Sequence, residues 1–367
     1  MKVDSLILKD FRNYEGIEIS PGSGMNVFIG SNAQGKTNII EALHLCCVGR
    51  SHRTSRDEEM IRWEQPFGRV TVTSRQQDGT HAVTIILARG QKKKKNIKIG
   101  ERKAERIGEL FGHVCGVLFS PEDLEIIKGG PAERRRFLDM LLSQLSTVYF
   151  YHLQRYTKTL GERNAVLREI AYKPELRNTL DMWDDLLAES GAAVAARRLE
   201  AIDHLSRLAA EEHQNLTQAK EVLNLRYITS FKDPSDIRGQ FLEQLFAGRE
   251  DDIRRQTTSC GVHRDDISIR INGRETRTYG SQGQQRSAVL SLKMAQLAYM
   301  AEYKGENPIL LLDDVMSELD LNRRKALGER INRIQTFVTC TDISDLGDTS
   351  QGMLYGVEKG TLKQISR

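Results

Sequence analysis

The chain has 367 residues, 39% of them apolar and 28% charged, with a net charge of +4. Such a length exceeds one ordinary domain and such an apolar share fills a packed core, while the absence of any run near eighteen apolar residues excludes a membrane-spanning helix. The opening MKVDSLILKDF has neither the length nor the cleavage pattern of a signal peptide, the five cysteines (Cys46, Cys47, Cys115, Cys260, Cys340) show no metal-ligand spacing, and a pI near 8.7 leaves nucleic-acid binding to local clusters. A cytoplasmic protein with reduced core thiols and no membrane partner is expected.

From the start to about residue 130 the pattern is strand-rich. Val3, Leu6 and Leu8 lead into Ile17-Glu18-Ile19, and then into the apolar run Asn26-Val27-Phe28-Ile29. That run closes on the octapeptide Gly30-Ser31-Asn32-Ala33-Gln34-Gly35-Lys36-Thr37, the phosphate-binding pattern GxxxxGK[ST], followed by an amphipathic helix start. Small residues let backbone N–H groups curl around an anion, and the next helix points its positive end at it. Lys36 is expected to reach the β- and γ-phosphates of ATP, and the Thr37 hydroxyl to ligate Mg²⁺. Val70 to Thr73 and Val83 to Leu87, joined by an Asp78-Gly79 turn signal, predict an antiparallel flap. Ser120-Pro121-Glu122-Asp123 has the chemistry of a helix start, and Gly129-Gly130-Pro131 a break.

Residues 131–220 lack strand signals. Leu138, Leu141, Leu145 and Val148 recur at helical spacing, and Trp183, Leu186 and Leu187 open a returning segment. Two arms of some thirty-five residues would reach about 50 Å, which favours an inserted helical subdomain over a long rod. Strand character returns at Leu223 to Tyr227 and at Ile267 to Ile271, the latter ending in an Asn272-Gly273 turn, before a helix from Gln284 to Tyr303. Next comes Ile309-Leu310-Leu311-Leu312-Asp313-Asp314. A continuous apolar run marks a buried parallel strand, and an acid at its carboxyl end is placed to hold a metal beside phosphates. Asp313 is assigned to Mg²⁺ and Asp314 to polarising an attacking water. Thr336 to Thr339 is expected as the last core strand. The expected fold is α/β, with a mixed-sheet head in two parts, 1–130 and 221–367, and a helical arm, 131–220, between them.

Tyr279-Gly280-Ser281-Gln282-Gly283-Gln284-Gln285-Arg286 precedes the long helix and resembles the signature of ABC-type ATPases. Alone, a Ser before a helix is simply an N-cap. In the order phosphate loop, signature, acidic strand and Ser317-Glu318-Leu319-Asp320, a D-loop pattern, it indicates an ABC-type P-loop head. FRNYEG (11–16), GSNAQGKTNIIEAL (30–43), GRSHRT (49–54), FSPEDL (119–124), GGPAERRRFLD (129–139), CGVHRDD (260–266), YGSQGQQR (279–286) and LLLDDVMSELD (310–320) together resemble the RecF family over nearly the whole chain. Val262 departs from the proline expected there, and the signature from LSGGQ.

The resemblance implies an ATP-dependent homodimer. Each ATP would lie between one subunit's phosphate loop and Ser281, Gly283 and Gln284 of the other, with slow hydrolysis as release. It also implies binding to double-stranded DNA beside single-stranded gaps, with RecO and RecR-type partners in recombinase loading. Candidate phosphate contacts are Lys92 to Lys95, Arg134 to Arg136, Arg53 with Arg56, and Arg197-Arg198. A transporter ATPase subunit is disfavoured because Val338-Thr339-Cys340-Thr341-Asp342 lacks the expected histidine. An SMC-like tether is disfavoured by the short arms.

Overall fold

The computed structural model describes residues 1–91, 94–316, 323–324, 327–328, 331, 333–343 and 352–365. The chain divides into two compact units, one of Met1–Leu124, Gln214–Lys220 and Val289–Arg367, the other of Glu125–His213 and Glu221–Ala288. The first is the head. Its central sheet runs in the order Thr361–Ile365, Gly352–Glu358, Met25–Ile29, Thr336–Cys340, Ile309–Asp313, Gly116–Phe119. All but the outermost hairpin strand, Thr361–Ile365, pair parallel. The strands Met25–Ile29, Thr336–Cys340 and Ile309–Asp313 read as near-continuous apolar runs because a parallel sheet is covered on both faces. Phe28 stacks between Phe337 and Tyr355 from its two neighbours, at 6.5 and 5.2 Å between ring centroids.

The antiparallel flap is a separate sheet, ordered Tyr14–Ile19, Lys2–Phe11, Phe67–Gln76, Gly79–Ala88, Lys95–Ile99, Arg102–Lys103. Buried and exposed positions alternate along Phe67–Gln76, as expected where one face meets a core. The hairpin expected at Asp78-Gly79 joins these two long strands, its turn lying one residue earlier at Gln77-Asp78 with Gly79 paired to Gln76.

The second unit is mostly helical: Pro131–Leu145, Thr147–Glu169, Leu180–Thr217 (whose last turn clusters with the head), Ile237–Ala247 and Arg249–Arg255. Its three-stranded sheet, Arg274–Glu275, Asp266–Ile271, Leu223–Ile228, has the expected Asn272-Gly273 turn, with both residues at positive φ. Buried arginines hold the unit together. Arg163 is fully buried and bonds Asp184, Asp252 and Thr258, while Arg198 bonds Asp139, Tyr149, Tyr227 and the carbonyl of Val262. Removing one partner from a buried pair of this kind is costly because it leaves an uncompensated charge. In Arg163 the carboxylates bond Nε and Nη1, while Nη2 has no partner among the described residues.

Three expectations differ from this architecture. The stretches 125–130 and 221–288, expected in the head, cluster with the helical unit, whereas 214–220, expected in the arm, clusters with the head, to which the chain returns for good at Val289. The strand Thr336–Cys340 is not the last of the core sheet, because Gly352–Glu358 pairs parallel on the other side of Met25–Ile29. The segment after Ser120 forms a short 3-10 turn, Pro121–Leu124, before the four-residue helix Glu125–Lys128. Ser317-Glu318-Leu319-Asp320 lies outside the described residues.

Candidate nucleotide site

The phosphate loop leaves the strand Met25–Ile29 at Gly30 and enters the helix Lys36–Val48. Gly35 sits at φ 118°, and a Cβ there would meet the Asn13 amide at 2.6 Å, so glycine is required on both counts. Ser31, Asn32 and Ala33 are exposed at the turn, Ala33 at positive φ. Lys36 is 4% exposed and folds over the loop, donating from Nζ to the carbonyls of Gly30 at 2.6 Å and Ser31 at 3.2 Å.

Thr37 donates its hydroxyl to Oδ1 of Asp313 at 2.8 Å across 276 positions of sequence. Thr339 donates to the same oxygen at 2.8 Å, and its hydroxyl accepts the Asp314 N–H at 2.9 Å. The register that sets Asp313 opposite Thr339 makes this possible. Burial raises the pKa of Asp313, and the charge of Asp314 adds to that, against the hydroxyl bonds from Thr339 and Thr37. A nearby cation would relieve that cost. A hydroxyl and a carboxylate side by side are the hard oxygen donors Mg²⁺ takes, and with Lys36 at the same loop the residues fit a metal-bound nucleotide. Asp314 is half-buried and takes a left-handed backbone, φ 52°.

Sequence reasoning missed what braces this loop. Asn13 donates to the Gln34 carbonyl at 2.7 Å, and the Tyr14 hydroxyl donates to the Gly35 carbonyl at 2.9 Å. The Lys359 N–H reaches Gln34 Oε1 at 2.7 Å and the Gly360 N–H its carbonyl at 3.3 Å. Below the loop, fully buried Glu41 takes a two-pronged bond from Arg12, at 2.8 and 2.6 Å, and one from the Ser51 hydroxyl. Arg53 lies 3.5 Å away. Burial alone would raise the Glu41 pKa, but the Arg12 and Ser51 bonds and the charges of Arg12 and Arg53 bring it below the ordinary value. FRNYEG and GRSHRT therefore converge on one carboxylate.

The signature residues lie in the second unit's part of the chain. Ser281 is exposed and caps the helix Gln282–Lys304 reciprocally: its Oγ accepts from the Gln284 N–H at 3.2 Å, and Gln284 Oε1 accepts from the Ser281 N–H at 2.9 Å. Gln284 also donates to Glu221 at 2.8 Å, and Gly283 is half-buried. Among the described residues the Ser281 O–H has no acceptor, which suits it to donate to an anion.

Most of the basic residues expected on DNA are engaged elsewhere. Arg134 is buried and two-pronged on Asp266, and Arg198 is buried on Asp139. Arg135 donates to the Asp265 carbonyl, Arg53 serves Glu41, Arg56 pairs with Glu59 and Arg197 with Glu200. Lys94 and Lys95 pair with Glu58 and Asp57, and Lys92 and Lys93 lie outside the described residues. Arg136 is exposed. CGVHRDD is likewise structural: Asp265 accepts from the Tyr227 hydroxyl at 2.6 Å, Asp266 holds Arg134, and His263 contacts the Tyr156 hydroxyl at 2.6 Å.

Among known proteins, the model of the RecF/RecN/SMC N terminal domain matches residues 2–361. A relative from Acetivibrio thermocellus, "DNA replication and repair protein RecF", is 44% identical over 347 residues, covering 93% of this chain and 94% of the relative. Two solved structures of the recombination mediator protein RecF in the RecFOR pathway, one with ATPrS and one with ATP, superpose with TM-scores of 0.92 and 0.90, each at 33% identity. They cover 100% and 99% of this chain, and 98% and 97% of their own. Loop, acidic strand and sheet order thus coincide with a likeness that runs the length of the chain, and the chain belongs to the RecF family of ABC-type ATPase heads.

Proposed function

We propose that the chain is an ATP-gated DNA-binding protein of recombinational repair and replication restart. Lys36 and the loop amides hold the ATP phosphates, Thr37 and Asp313 hold Mg²⁺, and Asp314 polarises the attacking water. Two copies close on ATP, with Ser281, Gly283 and Gln284 of one facing the γ-phosphate held by the other. The closed dimer binds duplex DNA beside single-stranded gaps and works with RecO and RecR-type partners in the cytoplasm; slow hydrolysis reopens it.

The observation that carries this reading is the 2.8 Å convergence of Thr37 and Asp313 beside Lys36. The nucleotide-bound relatives of the RecFOR pathway support the ATP and partner assignments. For DNA, support comes from the open face of the three-stranded sheet. Arg226 lies opposite Ser268, and Arg270 opposite Asn224, on the face turned away from buried Leu225, Tyr227, Ile267 and Ile269. Both arginines are exposed, and neither is in ion-pair distance of a carboxylate among the described residues, with Glu275 standing opposite Arg270 in the strand register. Such guanidiniums bind backbone phosphate without reading sequence.

Fluorescence anisotropy on a gapped duplex tests the proposal. Log affinity is expected to fall linearly with log salt at a slope near −0.9 per neutralised phosphate, and to be higher with ATP than without. Removing both Arg226 and Arg270 is expected to flatten the slope by about 2. A salt-insensitive signal, or equal affinity with and without ATP, would count against DNA gating by nucleotide.

A further inference from the structure

His52 belongs to the GRSHRT segment that follows the phosphate-loop helix, and its side chain is 10% exposed. Both ring nitrogens are sealed from solvent and neither makes a hydrogen bond within the described residues. Leaving a buried polar atom without a partner is costly, and no described residue meets either ring nitrogen, so the imidazole is suited to a partner that arrives with a ligand.

The ring's surroundings indicate which partner. Nε2 lies 4.0 Å from Oδ2 of Asp313, too far for a direct hydrogen bond. The Asp313 carboxylate is divided in its duties: Oδ1 already receives the Thr37 and Thr339 hydroxyls, each at 2.8 Å, while Oδ2 faces His52. His44 packs edge-on against the imidazole, with centroids 5.3 Å apart and planes at 89°, which fixes the ring's orientation. A nitrogen and a carboxylate oxygen at this separation are suited to sharing one water. Mg²⁺ surrenders its waters reluctantly and is bound largely through them, and a cation-bound water presents two O–H groups, one for each acceptor.

We propose that His52 is a positioning residue for the divalent cation, holding a cation-bound water against Oδ2 of Asp313 through its ring nitrogen. The inference rests on the reading of this site as one for Mg²⁺ and ATP. It goes beyond that reading by giving GRSHRT a role in metal affinity, separate from the structural role of Ser51 and Arg53 on Glu41.

The test uses the full chain and a fluorescent ATP analogue, with Mg²⁺ titrated in and a parallel series in EDTA. His52→Ala is expected to raise the Mg²⁺ concentration for half-maximal binding about tenfold while leaving affinity in EDTA unchanged. His52→Gln, which keeps a hydrogen-bonding group of similar reach, is expected to recover most of the loss. A second measurement needs no variant: in the ¹⁵N-histidine NMR spectrum of the parent, the His52 ring signals are expected to shift when Mg²⁺ is added to the ATP-bound protein. An unchanged Mg²⁺ midpoint in His52→Ala, an equal loss in both series, or unmoved His52 signals would overturn the inference. Parent binding that is indifferent to Mg²⁺ would overturn the reading of the site beneath it.

Discussion

Glu41 touches no candidate ligand, yet Arg12, Ser51 and Arg53 all converge on its buried carboxylate. Because its pKa is lowered in the folded chain, its stabilisation is present above the unfolded value of about 4.3 and is lost as pH falls through the lower folded value. Glu41→Gln is therefore expected to cost about 1–3 kcal/mol at pH 7 and progressively less toward pH 3, read from denaturant midpoints across that range. A constant gap at all pH values would mean that packing, not charge, is what the substitution removes. Asp314 has a separate expected role. Asp314→Asn should leave ATP binding intact and slow single-turnover hydrolysis about a hundredfold or more, the lower end of what a general base contributes. Hydrolysis at the parent rate would remove Asp314 from the chemistry. That the phosphate loop and Asp313 would come together was legible in the sequence, because the nucleotide chemistry proposed for them demands fixed residue types at fixed spacing. Glu41 and Thr339 were not: one depends on partners such as Arg12, 29 positions away, and the other on strand register alone.

At the scale of elements, the C-terminal hairpin Gly352–Glu358 and Thr361–Ile365 is the part of the head the sequence concealed. Its turn is Lys359-Gly360, and lysine at positive φ gives a weaker hairpin signal than the Asn or Asp usually found there. The Asn272-Gly273 turn was legible in place, and the Asp78-Gly79 signal revealed a hairpin whose turn falls one residue earlier. The hidden turn matters because its backbone braces Gln34. Gly360 has φ 75°, and a Cβ there would meet the Asn13 carbonyl oxygen at 2.3 Å. Gly360→Ala should therefore cost about 1–2 kcal/mol locally and weaken ATP binding several-fold by calorimetry, although the residue carries no side chain to offer a ligand. Unaltered affinity would show that the loop keeps its shape without the hairpin. The helical arm illustrates a different limit. Apolar spacing revealed its helices, but the return of strand pattern at Leu223 suggested a return to the head, whereas 221–288 stays with the helical unit and the lasting return comes at Val289. Periodicity reports an element's type and not the core it joins.

For the whole molecule, the phosphate loop and the signature belong to different compact units of one chain. Ser281, capping the helix Gln282–Lys304, has an O–H donor without an acceptor among the described residues and sits at a helix amino terminus suited to an anion. In the proposed dimer that donor serves the partner copy's nucleotide, which makes ATP the link between two chains and DNA binding its consequence. Sedimentation velocity with ATP and Mg²⁺, on the parent and on Ser281→Arg, tests this most directly. The parent is expected to sediment as a dimer only with nucleotide, and Ser281→Arg to bind ATP with parental affinity yet remain monomeric, its guanidinium occupying the position meant for the phosphate. Dimers that form equally without ATP, or that survive Ser281→Arg undiminished, would contradict the account.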